Sequence, residues 1–362
     1  MKLRRIVEVL EQIAPTRLAE RWDNVGLLAG DPDDEITRAL ITIDLTPPVI
    51  EEAMAVGAAL VIAYHPPIFG KLVRVVAGSP LALALRNGIA LYSPHTALDV
   101  VTGGTNDALA DVLALGDRRP LRASARGERD VKLVTFMPTD AVERVSEALW
   151  SAGAGDIGRY SRCSFRSEGT GTFFGEAGAQ PVVGEAGRLE RAAEVRVEMV
   201  VPLARIEPVL AALRAAHPYE EVAFDLVRLA APPDGLGIGR VGTIAVTSRR
   251  ALLDRIKVGL AIERVLVAGP LEGDARRVAV GAGSCGDLVD DAIAAGADLY
   301  LTGELSHHDA DRAARAGMTV VCALHSHSER PVLPVLAAQL VKEIAELEVR
   351  VSERDRDPFL IL

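Results

Sequence analysis

Cysteine is scarce in this 362-residue chain, and Cys163, Cys285 and Cys322 stand far apart with no C-x-x-C spacing. An odd, scattered set of thiols excludes a disulfide framework and suits a reducing compartment. Aromatic residues reach only 4%. Positive charge is in deficit: 40 Lys and Arg face 50 Asp and Glu, for a net charge of −10 and a pI of about 5.3. That balance does not favour a polyanion, so no nucleic-acid partner is expected. No apolar run approaches the ~20 residues that span a bilayer. The opening Met1-Lys2-Leu3-Arg4-Arg5-Ile6-Val7-Glu8 lacks the apolar core of a signal peptide. A soluble, cytoplasmic chain without membrane contact is expected.

The chain is rich in Ala, Val, Leu and Gly, with 49% hydrophobic and 25% charged residues, as in layered α/β domains, and its length allows two or three domains. Leu3, Ile6, Val7, Leu10 and Ile13 recur at helical spacing and predict a helix over 3–20, ended by Pro15. Ala39–Asp44 reads as a strand, and Thr46-Pro47-Pro48 as a helix start with Thr as N-cap. Gly57 closes that helix before the buried strand Ala59–Ala63, which delivers Tyr64-His65-Pro66-Pro67. A helix over 80–87 and a strand over 89–92 then deliver His95 and Asp99. This alternation calls for a mostly parallel sheet.

From about 130 the order becomes β-α-β-β-α-β, the ferredoxin-like unit. Ala230-Ala231-Pro232-Pro233-Asp234-Gly235 follows as a linker. The expected division is a first core lobe over 1–128, an inserted α+β domain over 129–235, and a second core lobe over 236–362 that packs with the first. The two lobes echo each other: Val49–Ile62 aligns with Leu288–Leu301, including acidic pairs, the helix-closing glycine and the strand. In that register His65 lies opposite Glu304, and with a one-residue slip His95 and Asp99 lie opposite His325 and Glu329.

Six of the seven histidines fall at ends of expected strands: His65, His95, His307, His308, His325 and His327. His95 and His325 each have a carboxylate four residues on, Asp99 and Glu329. Residues at i and i+4 share a helix face, and imidazole with carboxylate is the donor set of Zn, Fe, Mn or Ni. The supply exceeds one tetrahedral ion, which points to a two-metal site and metal-assisted hydrolysis. Gly281-x-Gly283-x-x-Gly286 formally fits a dinucleotide fingerprint. An anion-binding helix N-terminus or a plain tight turn are the other readings. Cys285 within it has no evident base beside it and reads as packing rather than nucleophile. His217-Pro218-Tyr219-Glu220-Glu221 reads as a helix-ending turn, with a ligand-sensing or metal role as the alternative.

Trp22–Leu27, Tyr64–Phe69, Ser93–Asp99, Thr302-Gly303-Glu304 and His325-x-x-Ser328-Glu329 together resemble the Nif-three-like dinuclear-metal family, often labelled GTP cyclohydrolase I type II homologues. Tyr160–Phe165, Gly169-Thr170-Gly171-Thr172-Phe173 and His217–Glu221 are similar to its long form. The resemblance covers essentially the whole chain. It implies one or two divalent ions held by His65, Asp99, His325 and Glu329, with His95 close by. It also implies an inserted domain similar to PII or CutA, and a homohexamer built as a trimer of dimers. Some members are credited with opening the GTP imidazole ring, so a nucleotide or other small molecule is an expected ligand. Others are described as partners of transcription regulators, so a non-catalytic metal-binding scaffold is the alternative. Two positions depart from the family pattern. Tyr64 stands where many bacterial members have a histidine ligand, so a weak phenolate contact or a loosely held second metal is expected. Leu324 replaces the glycine usual before the late histidine, and His327 is an additional imidazole.

Overall fold

Leu3, Ile6, Val9 and Leu10 are buried along one side of the first helix, Leu3–Ile13. The helix stops earlier than the apolar spacing predicts. Pro15 cannot continue the hydrogen-bond ladder, the chain makes a single 3-10 turn over Thr16–Leu18, and Glu11 accepts from the Thr16 amide and hydroxyl. The computed structural model describes residues 1–124, 130–157, 160–229 and 235–360. The chain divides into two compact units, Met1–Ser124 with Gly235–Leu362, and Ala125–Asp234. The expected linker falls largely on residues 230–234, outside the described residues.

The larger unit is built on two sheets. In the first, the spatial order is Gly26–Ala29, Ala90–Ser93, Leu60–Ala63, Arg38–Thr42, Glu348–Val351, parallel except for the first strand. In the second it is Leu266–Ala268, Thr319–Cys322, Leu299–Glu304, Asp274–Ser284, Gly237–Ser248, Gly116–Ala123. Its three strands Asp274–Ser284, Leu299–Glu304 and Thr319–Cys322 are parallel, and the others pair antiparallel. The inner strands, such as Leu60–Ala63 and Thr319–Cys322, are buried along their whole length, as strands covered on both faces must be. Each sheet thus sets an antiparallel edge strand beside a run of parallel strands, four in the first sheet and three in the second. The sheets also exchange strands: Glu348–Val351 from the end of the chain completes the first, and Gly116–Ala123 from the first lobe completes the second.

Glycine sets one boundary that the sequence misplaced. The Gly281–Gly286 stretch does not form a turn after a short strand. The strand Asp274–Ser284 runs through Gly281 and Gly283, and a 3-10 turn, Gly286–Leu288, separates it from the six-residue helix Val289–Ala294. A helix so short and so offset offers no dinucleotide cradle. The glycines serve close packing: a Cβ at Gly281 would lie 2.5 Å from the Tyr300 hydroxyl and 3.0 Å from the Cys285 Cβ. Cys285 is buried and donates its thiol to the Ala282 carbonyl, which suits packing.

The smaller unit is a four-stranded antiparallel sheet in the order Phe165–Phe174, Leu189–Pro202, Asp130–Met137, Phe224–Arg228. Val195, Val197, Met199 and Val201 alternate inward along the second strand. They pack on Val145 and Leu149 of helix Val142–Ser151 and on Val209 and Leu213 of helix Ile206–Ala216. Among the described residues no helix is long and apolar enough to cross a membrane.

Candidate metal centre

Three of the sequence candidates meet in one place. His65 follows strand Leu60–Ala63, His325 opens the short helix His325–Glu329, and Glu329 ends it, one helical turn away. Ligating atoms of these three lie within 4.8 Å of one another. His325 Nε2 is 3.1 Å from Glu329 Oε1, and His65 Nε2 is 3.3 Å from Glu329 Oε2. The side chain of Glu329 is only 4% exposed. Its Oε2 has no aligned hydrogen-bond donor, so the His65 contact is an ion-pair distance rather than a formed bond.

The outer nitrogens are also engaged. His65 Nδ1 lies 2.9 Å from Asp44 Oδ1, and His325 Nδ1 lies 2.8 Å from Glu304 Oε1. A carboxylate behind each imidazole fixes its orientation and turns Nε2 inward, the usual outer support of a metal-bound histidine. Electrostatics follow from this crowding. Burial opposes charge on His65, but Asp44 and Glu329 outweigh it and push its pKa up to about 10. The Glu329 contact raises His325 to about 9 against the opposing effect of burial. Burial opposes the charge on Glu329, yet His325 and His65 hold it below the usual carboxylate range. Two imidazole Nε2 atoms thus face one buried carboxylate, in the place a divalent cation would take. A buried oxygen without a partner and two inward nitrogens fit a metal ion, which would bind the imidazoles in their neutral form.

Backbone geometry makes room for the cluster. Gly283, at φ +75°, is where a Cβ would lie 2.7 Å from Glu329 Oε1 and 3.4 Å from His325 Nε2. A Cβ at Gly303 would lie 2.5 Å from the Gly283 carbonyl oxygen. Leu324 sits at φ 70°, ψ 155°, a region open to glycine and strained for a branched residue. His95 also carries a positive φ, 29°, so each of the two turns has one such residue, at the histidine itself in one and just before it in the other.

The other candidates lie alongside but are committed to partners. Tyr64 is buried, and its hydroxyl donates to Asp99 Oδ1. Asp99 is partly accessible as a residue, yet its carboxyl lies against the Tyr64 hydroxyl, with the charges of His95 and Glu329 acting on it. Burial raises its pKa to about 6, with Tyr64 and His95 countering. Burial and the neighbouring Asp99 and Glu329 push the Tyr64 phenol well up, away from a phenolate. His95 Nδ1 lies 2.8 Å from Asp23 Oδ1, and its ring is 5.5 Å from that of His65. His327 turns away and pairs through Nδ1 with the Ala323 carbonyl at 3.0 Å. His307 and His308 meet edge to face, ring centres 5.4 Å apart, on the exposed start of helix His307–Arg315.

Sequence reading missed the residues that tie the two halves together. Asn106 is buried, donates to the Asp99 carbonyl at 2.9 Å and accepts from the Ala282 amide at 3.0 Å. It thereby joins one candidate ligand to the strand end that carries Gly283. Arg240 is 2% exposed, and it bonds the Gly237, Gly239 and Val101 carbonyls and Asp107. Asp355 accepts from the Ile43 amide at 2.8 Å and from Arg330 at 2.9 Å. Those residues adjoin Asp44 and Glu329. Only the polar residue type was visible in the sequence, and nothing in its local pattern marks such long-range bonds.

The comparisons agree with this architecture. The model of the Duf34/NIF3 (NGG1p interacting factor 3) family matches residues 1–358, and the chain belongs to that family. A Mycobacterium tuberculosis protein called "GTP cyclohydrolase 1 type 2 homolog" is 37% identical over 369 residues, covering 99% of this chain and 97% of its own length. A Bacillus subtilis protein of the same name is 36% identical, covering 99% and 98%. Among solved structures, a Bacillus cereus protein related to NIF3 superposes with a TM-score of 0.70 at 34% identity, covering 100% of this chain and 99% of its own. Staphylococcus aureus protein SA1388 gives 0.77 at 26% identity, with the same coverage.

Proposed function

We propose that this chain is a divalent-metal-dependent hydrolase whose metal is held by His65, His325 and Glu329. The observation that carries the proposal is the Glu329 carboxylate, buried, with one oxygen unpartnered and an imidazole Nε2 facing each oxygen. A divalent ion there supplies Lewis-acid activation of water for hydrolysis. Asp44 and Glu304 hold the two rings in ligating orientation, and imidazole with carboxylate suits Zn, Fe, Mn or Ni. Asp99, with His95 and Tyr64 beside it, would provide a second ion's donors. The name of the mycobacterial and Bacillus relatives supports GTP or another nucleotide as the first substrate to test. Assembly as a homohexamer, with the smaller unit as a ferredoxin-like domain resembling PII or CutA, belongs to the same reading.

Elemental analysis of the purified protein, followed by assay against a nucleotide panel with each metal, tests this. Metal in at least equimolar amount and turnover lost in Glu329→Gln are expected. Bound metal without turnover of any nucleotide would overturn the hydrolase reading. A second reading, a non-catalytic metal-binding scaffold, draws on the Tyr64–Asp99 bond. That bond occupies a donor that a second metal needs. On this reading Glu329→Ala dissociates or unfolds the protein instead of only silencing it.

A further inference from the structure

Two motifs that the metal centre does not use meet in the smaller unit. Gly169-Thr170-Gly171-Thr172-Phe173 lies on an edge strand, and His217-Pro218-Tyr219-Glu220-Glu221 lies in the turn after helix Ile206–Ala216. Both line one cavity of about 340 Å³, within the size range of small-molecule sites.

The register of the sheet explains the cavity. Glu194 is out of phase with the inward Val195, Val197 and Met199, so it stands on the face that the two helices leave open. Phe136 pairs with Arg196, and Gly171 pairs with Ala192, which puts both on that same face. Gly171 must lack a side chain, because its Cβ would fall 2.0 Å from Glu194 Oε2. Glu194 therefore folds back over the edge strand into the cavity. Tyr219 donates its hydroxyl to Glu194 Oε1 at 2.8 Å, and the Tyr219 amide bonds His217 Nδ1 at 3.1 Å. The His217 turn thus aims the tyrosine at the carboxylate.

The chemistry of the lining is one-sided. Phe136, Phe173, Pro181, Val182 and Val183 supply apolar surface, and Val182 is 56% exposed. The charged residues are Glu194, Glu220 and Glu221, with no Lys, Arg or His among the lining residues. Glu220 accepts from the Gln180 amide at 3.2 Å, closing the loop over the cavity. Such a site repels phosphates and carboxylates, and its field suits a cation. Aromatic rings and a carboxylate at one end suit an organic cation with an apolar body.

We propose that this cavity is a binding site for a small organic amine, with its ammonium on Glu194 and its apolar body against Phe136 and Phe173. The site is independent of the metal centre. The test is isothermal titration of the full-length protein with 2-phenylethylamine, set against the neutral 2-phenylethanol and the anionic phenylacetate. One saturable site for the amine is expected, with the alcohol and the acid weaker by about 10-fold or more, the value of a charge-assisted bond. Glu194→Gln should weaken the amine to a similar degree and leave the metal content unchanged. Glu220→Gln, on the exposed rim, should weaken it less, and it keeps the test valid if Glu194→Gln does not fold. Equal binding of amine and alcohol, or no saturation at millimolar amine, would overturn the proposal. An amine that changes oligomeric mass in analytical ultracentrifugation without a one-site isotherm would also overturn it, assigning the cavity to a side chain of a second copy.

Discussion

The two His-x-x-x-carboxylate turns share a spacing and differ in what they leave free. At His325–Glu329 the carboxylate is buried, faces two imidazole nitrogens and keeps one oxygen without a hydrogen bond. At His95–Asp99 one carboxylate oxygen is taken by the Tyr64 hydroxyl, while His95 Nδ1 is held by Asp23 just as His65 and His325 are held by Asp44 and Glu304. The first turn is open to a cation; at the second the Tyr64 hydroxyl occupies one carboxylate oxygen. The lesson is that spacing places donors, and the neighbour supplied by the next strand decides whether they are available. Tyr64 brings a hydroxyl that donates where a histidine at the same place could offer a lone pair.

The largest test of that contrast removes the open turn. Glu329→Ala should abolish stoichiometric metal, read by elemental analysis, and should destabilise the protein by about 3 kcal/mol in urea, since two imidazoles lose their buried counter-charge. Asp99→Ala should retain the tighter metal equivalent. If the two variants lose metal equally, the contrast fails. Tyr64→His attacks it from the other side. Freed of the tyrosine bond, Asp99 should join a second site, and metal per subunit should rise toward two equivalents.

The bonds that hold the halves together come next in size. Asn106→Ala leaves the buried Ala282 amide without its acceptor and should cost about 2 kcal/mol in urea. Metal affinity should fall with it, because the strand end that carries Gly283 is loosened. Asp355→Asn should cost about 1–2 kcal/mol, having lost a charged partner of Arg330. An unchanged metal affinity in both variants would show that the site is set locally.

The smallest effect lies in the other unit and concerns pH. His217 bonds the Phe136 carbonyl through Nε2 and accepts the Tyr219 amide at Nδ1, an arrangement that only the neutral ring completes. Burial first lowers its pKa below 6.5, and the Phe136 and Glu194 contacts oppose this. The unfolded chain therefore binds the proton more readily, and the smaller unit should lose stability as pH falls below about 6.5 and through the lowered value. His217→Gln should flatten that slope in urea titrations at pH 7 and pH 5.

Much of the strand and helix pattern was legible. Apolar runs such as Leu60–Ala63, the alternation through Val195–Val201, and Gly57 closing helix Pro47–Val56 at φ 69° are local physics. The Thr46 cap was legible only as a boundary, since its side chain makes no capping bond. The end of the first helix and the path of Gly281–Gly286 were misjudged, because glycine spacing suggests a turn whenever the packing partners are unknown. The exchanged edge strands Gly116–Ala123 and Glu348–Val351 carry too many charges to look like strands.

The sequence by itself determined family membership, the alternation of βα units, and which histidines and carboxylates stand at strand ends, because these follow from residue type and spacing along the chain. The tertiary structure alone decided that His65 and His325 share Glu329, that Tyr64 closes Asp99, and that the two smaller-unit motifs line one cavity. Each depends on atoms brought within a few ångströms across tens to hundreds of residues, and no local pattern encodes such a distance.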